Sequence, residues 1–401
     1  MARQVGEGDG RPGRPPAPGV APALGLRLGG AYAAFFLALG IQVPYLPLWL
    51  QDRGLGPEAI GVALAVPMLA RLVSTPLLGV LSDRFGRPKA MLVALALAAA
   101  CGMAVLALSV DFLAILVTLA CTALAWMPSL SLLDSYASRQ ARAGRADYGK
   151  ARQWGSASFL VANLVGGALL GMLGAGSVVL MMLAGQLAYV LATLALPELP
   201  RPEPRPAPVT GRRARLGVLA GIVAAALVQA SHATLYAFAS VSWKAQGYSL
   251  ATIGVLWAVG VAAEMALFRF GTRLVVRFGA HALIAVGGMA AVVRFAAMAF
   301  DPPLAVLVPL QMLHAFTFAA TFLAMVELVS RSVSEHRSGT GQTAAAWIGS
   351  ILMSSANVAS GPLWAAFGPL AFFVSSAIGL AGALAALVAA RLQPHSSGSG
   401  G

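Results

Sequence analysis

A chain of 401 residues with 59% apolar and only 10% charged residues is too apolar for a water-soluble protein of its length. The formal net charge of +13 is spread over alternate loops instead of forming one patch, which argues against a nucleic-acid surface. Two cysteines, Cys101 and Cys121, lie inside apolar runs and read as small buried side chains, not as a disulfide or a metal site.

Residues 1–28 are rich in Gly, Pro and Arg and lack the apolar core of a signal peptide, so a disordered tail is expected there. Apolar runs of about 20 residues follow near 29–50, 58–81, 90–109, 112–133, 154–174 and 176–197. A polar break at 198–215, with Pro200, Pro202, Pro204, Pro206 and Pro208, reads as a semi-extended linker. Further runs lie near 216–241, 251–274, 282–300, 303–330, 340–362 and 366–390, before a flexible tail at 392–401. Each run can cross a hydrocarbon core of about 30 Å as a helix, and backbone in lipid must satisfy its own hydrogen bonds. The expected fold class is all-α integral membrane, with twelve transmembrane helices in two six-helix bundles at 29–197 and 216–391.

An even number of spans puts both termini on one side. The tails and alternate loops on that side hold 22 basic residues, including Arg84, Arg87, Lys89, Arg139, Arg142, Arg152 and Arg277, whereas the opposite loops hold only Arg53 and Lys244. Both termini are therefore expected to be cytoplasmic, in the bacterial inner membrane.

The second half repeats the first at an offset of 193 residues. Gly54, Ile60, Gly61, Val62, Ala65 and Val66 fall on Gly247, Ile253, Gly254, Val255, Ala258 and Val259, and Arg84-Phe85-Gly86 falls on Arg277-Phe278-Gly279. A duplication of six spans is the pattern of secondary transporters, with a binding site near the midplane between the halves. The same offset pairs Arg71 with Glu264 and Asp134 with Glu327.

Ionisable groups inside the apolar runs are candidate functional residues, because each costs a few kcal/mol in hydrocarbon. They are Glu264 in span 8, Arg294 in span 9, His314 in span 10, His232 in span 7 and Arg71 in span 2. A carboxyl group in lipid is stable only when paired or protonated, and histidine titrates near neutrality, so a Glu264–Arg294–His314 group is suited to coupling protonation to binding. The competing reading of Glu264 is a structural ion pair with Arg71 or Arg294. Asp134 and Glu327 lie near the cytoplasmic ends of spans 4 and 10 and are expected to pair with arginines such as Arg152 and Arg331. Gly144 to Ala151 imitates a phosphate-binding loop, but Ala151 stands where a hydroxyl should bind magnesium and no strand precedes it. No metal, cofactor or catalytic constellation is expected, so the chain is not read as an enzyme.

The loop after span 2, Gly79-Val80-Leu81-Ser82-Asp83-Arg84-Phe85-Gly86-Arg87-Pro88-Lys89, resembles the signature of the major facilitator superfamily. That resemblance implies that Gly79, Asp83, Arg84, Gly86, Arg87 and Lys89 form a conformational motif that locks and releases the cytoplasmic side. The second-half copy has Val276 in place of Asp83. Three further segments narrow the resemblance. They are Tyr45-Leu46-Pro47-Leu48-Trp49-Leu50, the run Asp147-Tyr148-Gly149-Lys150-Ala151-Arg152-Gln153-Trp154, and Glu264, Arg294 and Leu313-His314-Ala315. They are similar to the phenylpropionate permease branch, related to lactose permease-like proton symporters. This implies a monomeric, proton-coupled symporter importing a small aromatic carboxylate by alternating access. Glu264, Arg294 and His314 would then form its polar centre, and Arg71, Tyr45, Trp126, His232, Tyr236 and Phe318 are possible lining residues. The alternatives are a proton-antiporting exporter, a symporter of a neutral sugar or nucleoside, and a non-transporting membrane sensor. Span 5 holds Gly166, Gly167 and Gly171 but no proline, which weighs against export, since exporters of this superfamily carry a proline- and glycine-rich signature there.

Overall fold

A computed structural model describes residues 20–85, 87–198, 214–332 and 338–392. The expected tail before residue 20, linker residues 199–213, the tail from residue 393 and Gly86 of the loop motif lie outside these described residues. Among the described residues the chain forms helices joined by short turns, with no strand. The first half comprises α1 (Val20–Asp52), α2 (Pro57–Phe85), α3 (Pro88–Leu108), α4 (Phe112–Arg142), α5 (Tyr148–Leu173) and α6 (Val178–Leu194). The second comprises α7 (Ala214–Ala230), α8 (Ala233–Ala245), α9 (Leu250–Phe278), α10 (Ala280–Met298), α11 (Leu304–Met312), α12 (Thr321–Ser332), α13 (Ser338–Phe367) and α14 (Phe372–Leu392).

Eleven stretches of the described residues are long and apolar enough to cross a membrane. The last, Ala346–Leu392, has 47 residues. That is about 70 Å of helix, enough for two crossings of a core of about 30 Å. A one-turn 3₁₀ segment at Gly368–Ala371 splits it into α13 and α14, which gives twelve passes. Helix α1 starts at Val20, ahead of the expected residue 29, because residues 20–28 stay largely apolar and Pro22 falls in the first turn, where a missing N–H costs nothing.

Two spans depart from the unbroken helices expected of them. Span 7 is α7 and α8, interrupted by a turn at Ser231–His232 in which the Ser231 hydroxyl folds back onto the Val228 carbonyl at 2.6 Å. Span 10 is α11 and α12 joined through a π-helical turn at Ala315–Ala320. Hydropathy is blind to both interruptions, because an extra residue in a helical turn changes no side chain's polarity.

Within the first half α1 packs on α5 and α6, α3 on α4 and α6, and α2 on α4; within the second α10 packs on α14, and α7 on α13 and α14. The halves meet where α2 crosses α13 and α5 crosses α9. The close approaches described below at these crossings involve the ends of the helices remote from the termini.

The sequence repeat reappears in these turns and crossings. After α1, Leu55 N–H donates to Leu50 C=O at 3.1 Å and Gly54 N–H to Gln51 C=O at 2.9 Å, with Gly54 at φ +79°. After α8, Tyr248 N–H donates to Trp243 C=O and Gly247 N–H to Lys244 C=O, both at 3.0 Å, with Gly247 at φ +89°. Both are the same glycine-terminated helix end, 193 residues apart. A methyl group on Gly61 would stand 2.7 Å from the Asn357 carbonyl oxygen, and one on its repeat partner Gly254 would collide with the Asn163 carbonyl oxygen. On the facing helices a methyl on Gly361 would stand 2.7 Å from Pro57 C=O, and one on Gly167 would strike Leu250 C=O. Asn163 and Asn357, like Gly167 and Gly361, lie within one residue of the repeat offset. Backbone meets backbone at both crossings because glycine leaves room for it.

Replacing both Gly61 and Gly254 by leucine is expected to part the halves at this side. Spin labels at Gly56 and Gly368 should then shift towards longer distances, and an unchanged distance distribution would show that these glycines do not govern closure.

Candidate functional site

The two irregular turns lie against each other. The Gln229 side-chain amide, just before the break in span 7, donates to the Phe318 carbonyl in the π turn of span 10 at 3.1 Å. His232, in the break itself, reaches the Thr317 hydroxyl at 2.9 Å. His314 stands just before the π turn and Thr317 within it, and both are in reach of the same arginine. Gly260, one turn before Glu264 on α9, packs against His314, whose Cβ would lie in ordinary contact, 3.5 Å, from a methyl group placed there.

Arg294 is 1% exposed at the centre of this cluster. Its guanidinium donates to His314 Nδ1 at 2.8 Å, to Gln311 Oε1 at 2.7 Å and to Thr317 Oγ1 at 3.3 Å. His314 Nε2 lies 2.7 Å from Glu264 Oε1. An arginine has no acceptor, so Nδ1 of His314 must accept and Nε2 must carry the hydrogen given to Glu264. On the other side His232 Nδ1 lies 3.0 Å from the Gln229 carbonyl and must donate to it, leaving Nε2 to accept from the Thr317 hydroxyl. Hydrogen bonds thus run outward from Arg294 along two limbs. One passes through His314 to Glu264, the other through Thr317 and His232 to the Gln229 carbonyl.

Exposure falls along the first limb. The side chains of Glu264 and His314 are 13% and 9% exposed, whereas Arg294 is closed off behind them. Two buried donors, Arg294 Nε and Gln311 Nε2, have no protein partner. Aromatic rings wall the cluster: Phe318 stacks on His314 with centroids 5.4 Å apart, and Tyr236 lies between His232 at 5.7 Å and Trp257 at 6.0 Å.

The structure therefore brings together Glu264, Arg294, His314, His232, Tyr236 and Phe318. Other residues singled out in the sequence lie apart from them. Among the described residues no ion pair joins Arg71 to Glu264, whose ion-pair partner is His314. Tyr45 is buried at the α5–α9 crossing, its hydroxyl donating to the Asn163 carbonyl at 2.7 Å. Trp126 is buried against Phe35 and lines a small cavity with Gln42, Met103 and Met182. Of the loop motif, Gly79, Asp83 and Arg84 fall in the final turns of α2, Arg87 precedes Pro88 at the start of α3, and Lys89 is half-buried. Asp134 accepts from Tyr32 at 2.6 Å and from Tyr148 at 3.1 Å, with Arg152 Nε 4.0 Å away. Gln311, Thr317 and Gln229 were not foreseen. The first two sit three residues either side of His314, and that spacing on one helical face was the available signal.

Twelve helical passes in two repeated halves, with a polar chain buried in apolar spans, define a multi-pass membrane transporter of the major facilitator fold. Residues 26–375 match the MFS_1 like family, and the chain belongs to that family. It is 29% identical over 310 residues to the "Probable 3-phenylpropionic acid transporter" of Escherichia coli (strain K12), covering 75% of this chain and 80% of that protein. It is 30% identical over 285 residues to the "Maltose permease" of Geobacillus stearothermophilus, covering 68% of this chain and 70% of that one. Among solved structures, the nucleoside transporter NupG superposes with a TM-score of 0.76 at 18% identity, over 92% of this chain and 99% of that one. A bacterial homologue of the human lysosomal transporter Spinster, inward-facing and occupied, also gives 0.76, at 15% identity over 94% and 98% of the two chains. The chain is thus a secondary transporter, not an enzyme.

Replacing Thr317 with valine removes the acceptor for Arg294 and the donor to His232 at nearly constant volume. Chemical denaturation in detergent is expected to report a loss of about 1–3 kcal/mol. A loss below about 0.5 kcal/mol would mean that the Thr317 hydroxyl holds neither limb together.

Proposed function

We propose that this transporter is a proton-coupled symporter that imports a small aromatic carboxylate by alternating access, acting as a monomer in the bacterial inner membrane with both termini cytoplasmic. The observation that carries the reading is the Glu264–His314–Arg294 limb, a carboxyl group at the partly exposed end of a hydrogen-bond chain inside apolar spans. A carboxylate there is costly unless it is paired or protonated, so binding and release of a proton change what the site can hold. Rings at Tyr236 and Phe318 offer surfaces for an aromatic substrate, and the unpartnered Arg294 and Gln311 donors favour a ligand rich in acceptors. The 29% identical relative is named a probable transporter of 3-phenylpropionic acid, a molecule with both features. The excess of basic residues on the side of the termini supports their cytoplasmic placement. The crossings at the opposite side then correspond to a state closed to the exterior. A neutral sugar is the second reading, favoured by the 30% identity to a maltose permease.

Proteoliposomes with an acidic exterior should accumulate labelled 3-phenylpropionate, and Glu264→Gln should abolish gradient-driven accumulation while leaving substrate exchange. Accumulation of maltose in place of the acid would select the second reading. Uptake indifferent to the pH gradient would remove the proton coupling.

A further inference from the structure

Resting on the proton-coupled reading of this site, we propose that Arg294 is a positioning residue that decides which group takes the proton: by donating to His314 Nδ1 it bars the histidine from a second proton and leaves Glu264 as the acceptor. The argument is geometric. A histidine holds two protons only when both ring nitrogens are donors, and a donor cannot face the guanidinium N–H that stands 2.8 Å from Nδ1. Arg294 cannot turn its N–H groups away. Gln311 Oε1 holds one at 2.7 Å, Thr317 Oγ1 another at 3.3 Å, and the residue is 1% exposed. Gln311 is a neutral acceptor. It anchors the cation without cancelling it, which a glutamate at that position would do.

The groups facing His314 from the elements around it agree with this assignment. From α9 Glu264 accepts its Nε2–H at 2.7 Å. From α10 comes the arginine. From the break in span 7 comes His232, with ring centroids 5.0 Å apart, and its own nitrogens are committed to Gln229 and Thr317. Tyr236, which stacks on His232, follows one turn later, and Phe318 covers the ring from its own span. Of these, Glu264 is the one carboxyl group, and its side chain is 13% exposed. It can gain a proton and still accept from His314 through its other lone pairs, so the limb survives its protonation. His314 thereby separates Arg294 from Glu264, and no direct ion pair between those two occurs among the described residues.

The chain contains five histidines, so nitrogen-15 NMR of histidine-labelled protein in lipid can isolate His314 by difference against His314→Asn. In the parent, His314 is expected to show one protonated nitrogen, Nε2, and one bare nitrogen, Nδ1, throughout titration from about pH 8 to about pH 5. In Arg294→Met a second proton should appear at Nδ1 as the pH falls, and Arg294→Lys should restore the parent's single-proton signature. A doubly protonated His314 in the parent, or a hydrogen on Nδ1, overturns the assignment without any variant needing to fold. The proton-coupled reading fails separately, if parent and Glu264→Gln proteoliposomes respond alike to a pH gradient.

Discussion

A guanidinium ion that is 1% exposed, among spans apolar enough to sit in lipid, is the constraint on which the rest of the site depends. Arginine stays charged and carries five N–H groups with no acceptor, so every neighbour within reach must accept from it. Gln311, Thr317 and His314 do so, and His314 and Thr317 pass the obligation outward to Glu264 and His232. The His314 tautomer follows from that requirement, and the Gln229 carbonyl sets that of His232. The breaks in the surrounding spans lie at the same place. His314 lies just before the π turn of span 10 and Thr317 within it, and the turn in span 7 sets His232 against Thr317.

The helical class, the repeat and the major facilitator resemblance were legible in the sequence because they rest on composition and spacing. Runs of about 20 apolar residues leave helix as the one workable structure in lipid. The offset of 193 also survived into detail that spacing alone does not reveal, since Gly54 and Gly247 close the same turn, and Gly61 and Gly254 each admit a facing asparagine carbonyl.

What was illegible lies where geometry outweighs composition. Glu264, Arg294 and His314 stood out as charges in apolar runs, but nothing in their types shows that the histidine lies between the other two. Arg71 stood out by the same rule and takes no part in the chain. Tyr45 and Trp126 looked like lining residues because they are aromatic. One anchors a helix crossing and the other is packed inside the first half. Gln311 and Thr317 passed unnoticed because neutral polar residues are common in spans and acquire meaning only from a neighbouring cation.

The outward direction of the hydrogen bonds has a consequence for leakage. A proton moves along a hydrogen-bonded row by hopping, after which every group in the row must turn round to receive the next. A guanidinium cannot receive one, so the row is interrupted at Arg294 whichever way the remaining groups are turned. The chain that links four spans is therefore an insulator along its own length. On the proton-coupled reading proposed above, a charge that arrives at Glu264 has to leave by the route it came or travel with the moving protein, without short-circuiting the membrane potential along this row.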